Sequence, residues 1–168
     1  MRLIDINMKK LVVVRHGKSS WKYDLPDDKR PLKSRGITDA NLVSKNFQTK
    51  GIVPNVVLSS PAVRALSTCE IFCKNLNLPF ENTQIIDNLY DFQGDSVIEI
   101  LKDLDEVYDT VMIFGHNHAF TSICNTFGSK FIDNLPTSGL VVINFDINSW
   151  GDLKKGQTEL TIFPRDLK

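Results

Sequence analysis

Three short apolar runs constrain this chain more than any other feature. Leu11-Val12-Val13-Val14 runs into Arg15-His16-Gly17. Val56-Val57-Leu58 runs into Ser59-Ser60-Pro61, with Arg64 one turn further on. Val111-Met112-Ile113-Phe114 runs into Gly115-His116-Asn117. Runs that are apolar at every position, not at alternate ones, read as strands buried on both faces, and hence as a parallel sheet covered by helices. In such sheets ligands bind just beyond the carboxyl ends of the strands. Two arginines and two histidines therefore fall where chemistry is done, and the natural ligand of that set is a phosphoryl group.

The segments between the runs predict the rest of the fold. A strand over 10–14 is followed by a polar loop over 17–35 that contains Pro26 and Pro31, and a loop of that length in a compact domain is usually functional. Thr38 is placed to cap a helix over 39–50, with Ala40, Val43 and Phe47 on one face and Gly51 as its stop. After a strand over 56–59, Pro61 suits the first turn of a helix whose inner side carries Ala62, Ala65, Leu66, Cys69, Phe72, Cys73 and Leu76. A short strand over 84–86 precedes a helix capped by Asp95 or Ser96, with Val97, Ile98, Leu101 and Leu104 inward. A strand over 110–114 and a helix over 119–127 follow. The tail differs: strands over 140–145 and 159–163 have no helix between them, and Asn148-Ser149-Trp150-Gly151 reads as the turn of an antiparallel pair. The expectation is a single domain over 1–168, an α/β/α three-layer sandwich with a mostly parallel, mixed sheet.

Composition narrows the function. The 168 residues carry 20 basic and 20 acidic side chains, a formal net charge of zero, which argues against an electrostatic nucleic-acid or membrane binder. The three cysteines have no paired-loop spacing; with an odd number, reduced thiols and a cytoplasmic setting are expected. Cys69 and Cys73 sit four apart on a helix, a spacing open to metal ligation but more typical of core thiols. No segment is long enough to span a bilayer. Residues 1–10 lack the apolar region of a signal peptide, Met8 is a possible alternative start, and residues 1–7 read as a loosely tied extension. No exposed apolar stripe stands out to fix an oligomeric state.

Individual residues sharpen the chemistry. His16 lies between a cation and a glycine at a strand end. A neutral imidazole is a competent nucleophile at phosphorus, and the covalent route needs no metal if cations stabilise the phosphoryl oxygens. Arg15 offers a planar fork of donors for those oxygens. Gly17 permits close approach of a ligand to the backbone. Arg64 lies in the first turn of a helix, whose free N–H groups also favour an anion. His116 is expected to donate to phosphate across from His16, whereas His118 reads as outer rim or structural. A zinc pair of His116 and His118 lacks a third ligand of suitable spacing. Ser19 and Ser20 have no base–acid partner and read as turn residues. Trp21 is expected to pin the loop to the core, and Thr137 or Ser138 is a candidate donor in one wall.

These residues match a pattern. The chain resembles the histidine phosphatase superfamily, the phosphoglycerate-mutase-like fold, and within it is most similar to the small bacterial SixA-type phosphohistidine phosphatases. The matching pieces, in order along nearly the whole chain, are Val14-Arg15-His16-Gly17-Lys18-Ser19-Ser20-Trp21, Arg30-Pro31-Leu32 with Arg35-Gly36, Leu58-Ser59-Ser60-Pro61-Ala62-Val63-Arg64-Ala65, Gly115-His116-Asn117 and Asp133-Asn134-Leu135-Pro136-Thr137-Ser138-Gly139. The resemblance implies that His16 is the phosphorylated nucleophile, that Arg15, Arg64 and His116 clamp the phosphoryl oxygens, and that no cofactor is needed. Gly17, Lys18 and Asn117 are the expected substrate-binding positions. For the general acid it points to Asp91, where related sequences often have a glutamate; a loop-capping aspartate is the competing reading. Lys18 and Lys22 stand where the mutases of the superfamily carry a glutamate and an asparagine. With the short chain, they disfavour a mutase and favour an open site for a phosphate on a larger partner. The implied function is a phosphatase for a phosphohistidine protein. A small-molecule phosphomonoester phosphatase and a non-catalytic phosphate-binding module stay open as alternatives.

Overall fold

A computed structural model of the chain describes residues 8–168, so the expected extension over 1–7 lies outside the described residues. Six strands form one sheet: β1 (Met8–Arg15), β2 (Val56–Ser59), β3 (Gln84–Ile85), β4 (Thr110–Gly115), β5 (Leu140–Asp146) and β6 (Gln157–Ile162), in the order β3-β2-β4-β1-β5-β6. β1, β2, β3 and β4 run parallel, and β5 runs antiparallel to both β1 and β6. This is the mostly parallel, mixed sheet that the three apolar runs predict.

Among the described residues four α-helices cover it: α1 (Ser34–Gln48), α2 (Val63–Leu76), α3 (Asp95–Lys102) and α4 (Ala119–Phe127). Successive side chains of a strand point to opposite faces, and the core divides accordingly. Val12, Val14, Met112 and Phe114 pack with Phe47 of α1 and Phe72 of α2. Leu11, Val13, Val111 and Ile113 pack on the other face with Leu101 of α3 and Phe120 of α4. Each central strand thus buries both its faces, which is why these runs are apolar at every position. Among the described residues no helix is long and apolar enough to cross a membrane.

Two local expectations are corrected. The first helix begins at Ser34, a turn before the cap expected at Thr38, and its N-cap position is Lys33. Tertiary contact overrides the capping signal: the Lys33 amide donates to the Lys18 carbonyl at 2.8 Å, and Gly36 packs its bare Cα on the same residue. The expected stop at Gly51 does adopt positive φ, 72°. The β5–β6 connection is not a tight turn at 148–151. A 3-10 turn at Trp150–Asp152 folds the Trp150 ring into the core, where Nε1 donates to the Tyr108 carbonyl at 2.7 Å. The cysteines are buried free thiols, with Cys69 and Cys73 sulfurs 4.0 Å apart.

Candidate active site

Sheet order assembles the site. β4 lies between β2 and β1, so the carboxyl ends of the three runs are neighbours. β1 delivers Arg15 and His16, β4 delivers His116, and the segment after β2 delivers Ser60 and then Arg64 in the first turn of α2. The backbone is tied across these ends. His16 N donates to the Gly115 carbonyl and Arg15 N to the Gly139 carbonyl, each at 3.1 Å, while Ser138 N donates to both the Arg15 and His16 carbonyls.

His16 is buried, and its two ring nitrogens have different roles. Nδ1 lies 2.7 Å from the Gly17 carbonyl, which can only accept, so Nδ1 carries the hydrogen. Nε2 therefore keeps its lone pair and accepts from Nε of Arg64 at 3.3 Å. Burial lowers the proton affinity of His16; His116, Arg64 and Arg15 lower it further against the opposing bond to Gly17, and its pKa falls to about 3. The ring is uncharged at neutral pH, as a nucleophile requires.

His116 lies beside it, with ring centroids 5.3 Å apart. Its Nε2 is 2.8 Å from Ser60 Oγ, and Nδ1 has no hydrogen-bond partner among the described residues. Burial, then the charge of Arg64, lowers its pKa to about 3 against the opposing charge of Asp27. Arg64 is almost fully buried, and Arg15 has its pKa lowered by burial and by the charge of Arg64. Arg15 anchors one Nη to the Leu135 carbonyl at 2.8 Å, and its Nε has no partner among the described residues. One buried and one half-buried guanidinium, two uncharged imidazoles and unspent donors make a site suited to a multiply charged oxyanion.

The other expected residues divide. Lys18, Asn117 and Thr137 line the pocket with Arg15, His16 and Arg64. The Asn117 amide is spent on Thr121 and Asn134, which fixes the loop after β4. Packing also requires Gly17: a Cβ there would sit 3.0 Å from the Gly36 carbonyl and 3.1 Å from Ser138 Oγ. His118 is exposed at the start of α4, consistent with outer rim. Trp21 does not enter the core. The residue is 75% exposed, and its ring stacks on the guanidinium of Arg30 at 3.6 Å.

Asp91 is absent from the pocket lining. Its carboxylate accepts from the backbone N–H groups of Gln93, Gly94, Ser96 and Val97 at 3.0–3.2 Å, which closes the loop before α3. That is the capping reading, and it holds Tyr90 and Phe92 with their rings 5.2 and 5.1 Å from His116. The carboxylate that does line the pocket is Asp27. It accepts from an Nη of Arg64 at 2.9 Å, from Nε of Arg30 at 3.1 Å and from the Tyr90 hydroxyl, and its carbonyl accepts from the other Nη of Arg64 at 2.6 Å. Burial opposes ionisation, but the bonds from Tyr90, Arg64 and Arg30 outweigh it and hold the pKa at about 2. Asp27 and Tyr90 were not legible as site residues, because their meeting depends on how the 17–33 loop folds back over α2.

Known proteins share this framework. The protein histidine phosphatase SixA, solved with tungstate, superposes with a TM-score of 0.80 at 22% identity, over 95% of this chain and 99% of that one. The alpha-ribazole phosphatase of Shigella flexneri superposes with a TM-score of 0.63 at 17% identity, over 83% and 92%. An uncharacterized Mycobacterium tuberculosis protein is 25% identical over 160 residues, 89% of this chain and 98% of its own. An uncharacterized chloroplastic protein of Arabidopsis thaliana is 27% identical over 151 residues, 84% and 69% of the two chains. The family model of the histidine phosphatase superfamily, branch 1, matches residues 11–110, and with it this chain belongs to that superfamily.

Proposed function

We propose that this enzyme is a metal-independent phosphatase that works through a phosphohistidine formed on His16, and that its substrate is a protein carrying a phosphorylated histidine. The observation that carries the reading is the fixed tautomer of His16. Nδ1 gives its hydrogen to the Gly17 carbonyl, and the lone pair of Nε2 faces the guanidinium that would hold the phosphoryl group. Nε2 attacks phosphorus and the leaving group departs. Water then cleaves the phosphohistidine. Arg15 and Arg64 balance the oxyanion charge, and the unpartnered Nδ1 of His116 and Nε of Arg15 gain acceptors from its oxygens.

Two features support a phosphohistidine substrate. First, the carboxylate in the pocket, Asp27, is held ionised at neutral pH and has no proton to give a departing alkoxide. An imidazole whose other nitrogen has taken up a proton from solvent leaves as a neutral ring and needs none at the departing nitrogen. Second, Trp21 and Phe92 at the pocket mouth are exposed, so the site is open to a large partner. The fold likeness to SixA points the same way.

The test is phosphate release, with a chelator present, from a phosphohistidine protein, an aryl phosphate and an alkyl phosphate side by side. The first two are expected to turn over and the third to lag. Release from esters alone would move the substrate to a small molecule. Release from none, with tungstate still binding, would leave a phosphate-binding module.

A further inference from the structure

We propose that Asp27 is the base of the second half-reaction, taking a proton from the water that cleaves phospho-His16. The assignment rests on the covalent route through His16 argued above. One guanidinium joins the two groups: Nε of Arg64 donates to Nε2 of His16 at 3.3 Å, and an Nη of the same side chain donates to the Asp27 carboxylate at 2.9 Å. Carboxylate and nucleophile are thus held within the span of a single guanidinium. A phosphoryl group transferred to Nε2 would lie beside the guanidinium that also carries the carboxylate.

The rest of the environment suits a base that is switched on by the intermediate. In the free enzyme the Asp27 carboxylate is shared among Arg64, Arg30 and Tyr90. When phosphate sits on Nε2, the donors of Arg64 turn to its oxygens, and the carboxylate loses its strongest cationic partner. A nearby dianion raises the proton affinity of that carboxylate further. Arg30 and Tyr90 remain to hold it in place. Arg30 is itself fixed by Ser19 Oγ at 2.6 Å and covered by the Trp21 ring.

The step balances without any other reactant. The water oxygen bonds to phosphorus as the P–Nε2 bond breaks, and that electron pair returns to the imidazole. The water proton passes to Asp27 and then to the departing phosphate or solvent. Among the described residues no other carboxylate lines the pocket, and Asp91 is bound to four backbone amides around the start of α3.

Rapid mixing of the Asp27→Asn variant with an aryl phosphate tests the assignment. The first half-reaction needs no base, so a burst of about one phenolate per site is expected, followed by a steady state slowed about 10²-fold or more. Acid-labile phosphate should remain on the protein, and the burst amplitude counts correctly folded sites. A slowed reaction with no burst and no phosphoprotein would mean that Asp27 only orients Arg64, and unchanged turnover would remove it from the mechanism. Wild-type and His16→Ala proteins run alongside. Turnover surviving in His16→Ala would instead overturn the covalent route itself.

Discussion

Nε of Arg64 donates to Nε2 of His16 at 3.3 Å across the floor of the pocket. The clamp and the nucleophile are already in register before any phosphate arrives, which removes part of the organisation that catalysis would otherwise require. Arg64 is held by α2, by the two acceptors of Asp27 and by burial. A lysine would keep the charge but not the fork. Arg64→Lys is expected to lower kcat/KM for an aryl phosphate by about 10²-fold to 10³-fold. Steady-state kinetics check this, and a loss of only a few-fold would show that charge alone suffices.

Gly36 sets the shape of the nucleophile loop. A Cβ at this position would lie 2.3 Å from the Lys18 carbonyl and 2.8 Å from its amide, both backbone atoms that cannot yield independently. Gly36→Ala should therefore cost about 1–3 kcal/mol of stability through overpacking. It should also impair turnover, because Lys18 is two residues from His16. Urea unfolding and phosphatase assays on the same preparation measure both effects; a variant of full stability and full activity would show that the loop adjusts freely.

Asp91 should behave as a cap. Its carboxylate accepts from four backbone amides at the start of α3, so Asp91→Ala is expected to cost about 1 kcal/mol. Activity towards an aryl ester and a phosphohistidine protein should fall together, since both depend on Tyr90 and Phe92 keeping their place beside His116. Selective loss of ester hydrolysis would restore Asp91 as a proton donor.

Both buried imidazoles carry a pH signature. Their pKa values fall from 6.5 to about 3, principally through burial. Between those values the unfolded chain binds more protons than the folded one. Stability is therefore fully present above pH 6.5 and is lost as pH falls towards 3. The urea midpoint should drop between pH 7 and pH 5, and the ring resonances of His16 and His116 should not titrate over that interval. A midpoint near 6.5 for either ring would contradict its burial as an uncharged group.

Sheet class and the placement of Arg15, His16, Arg64 and His116 at or one turn beyond strand ends were legible because they depend on local pattern, whereas the strand order that makes those ends neighbours was not. A run such as Val111-Met112-Ile113-Phe114 is apolar throughout because both its faces are covered, and the residues that follow it must lie at a strand end. The residues that were not legible are joined only by tertiary geometry. Asp27 lies 37 positions from Arg64 and 63 from Tyr90, in a loop with no periodic pattern. Asp91 was drawn towards the pocket by resemblance, with a loop cap as the competing reading, and it is the cap that forms: the amides of Gly94, Ser96 and Val97 claim its carboxylate. Trp150 read as part of a turn because its neighbours Asn148, Ser149 and Gly151 are turn formers, although its ring fills the core.

The most direct test of the account is to find the phosphate on His16. Wild-type enzyme mixed with a labelled phosphohistidine protein would be quenched within a turnover, digested under alkaline conditions, and searched for a modified peptide containing residues 15–18. The account predicts acid-labile, alkali-stable phosphate on His16 that appears and decays at least as fast as steady-state turnover. Label confined to another residue, or label on His16 that turns over more slowly than product forms, would contradict it.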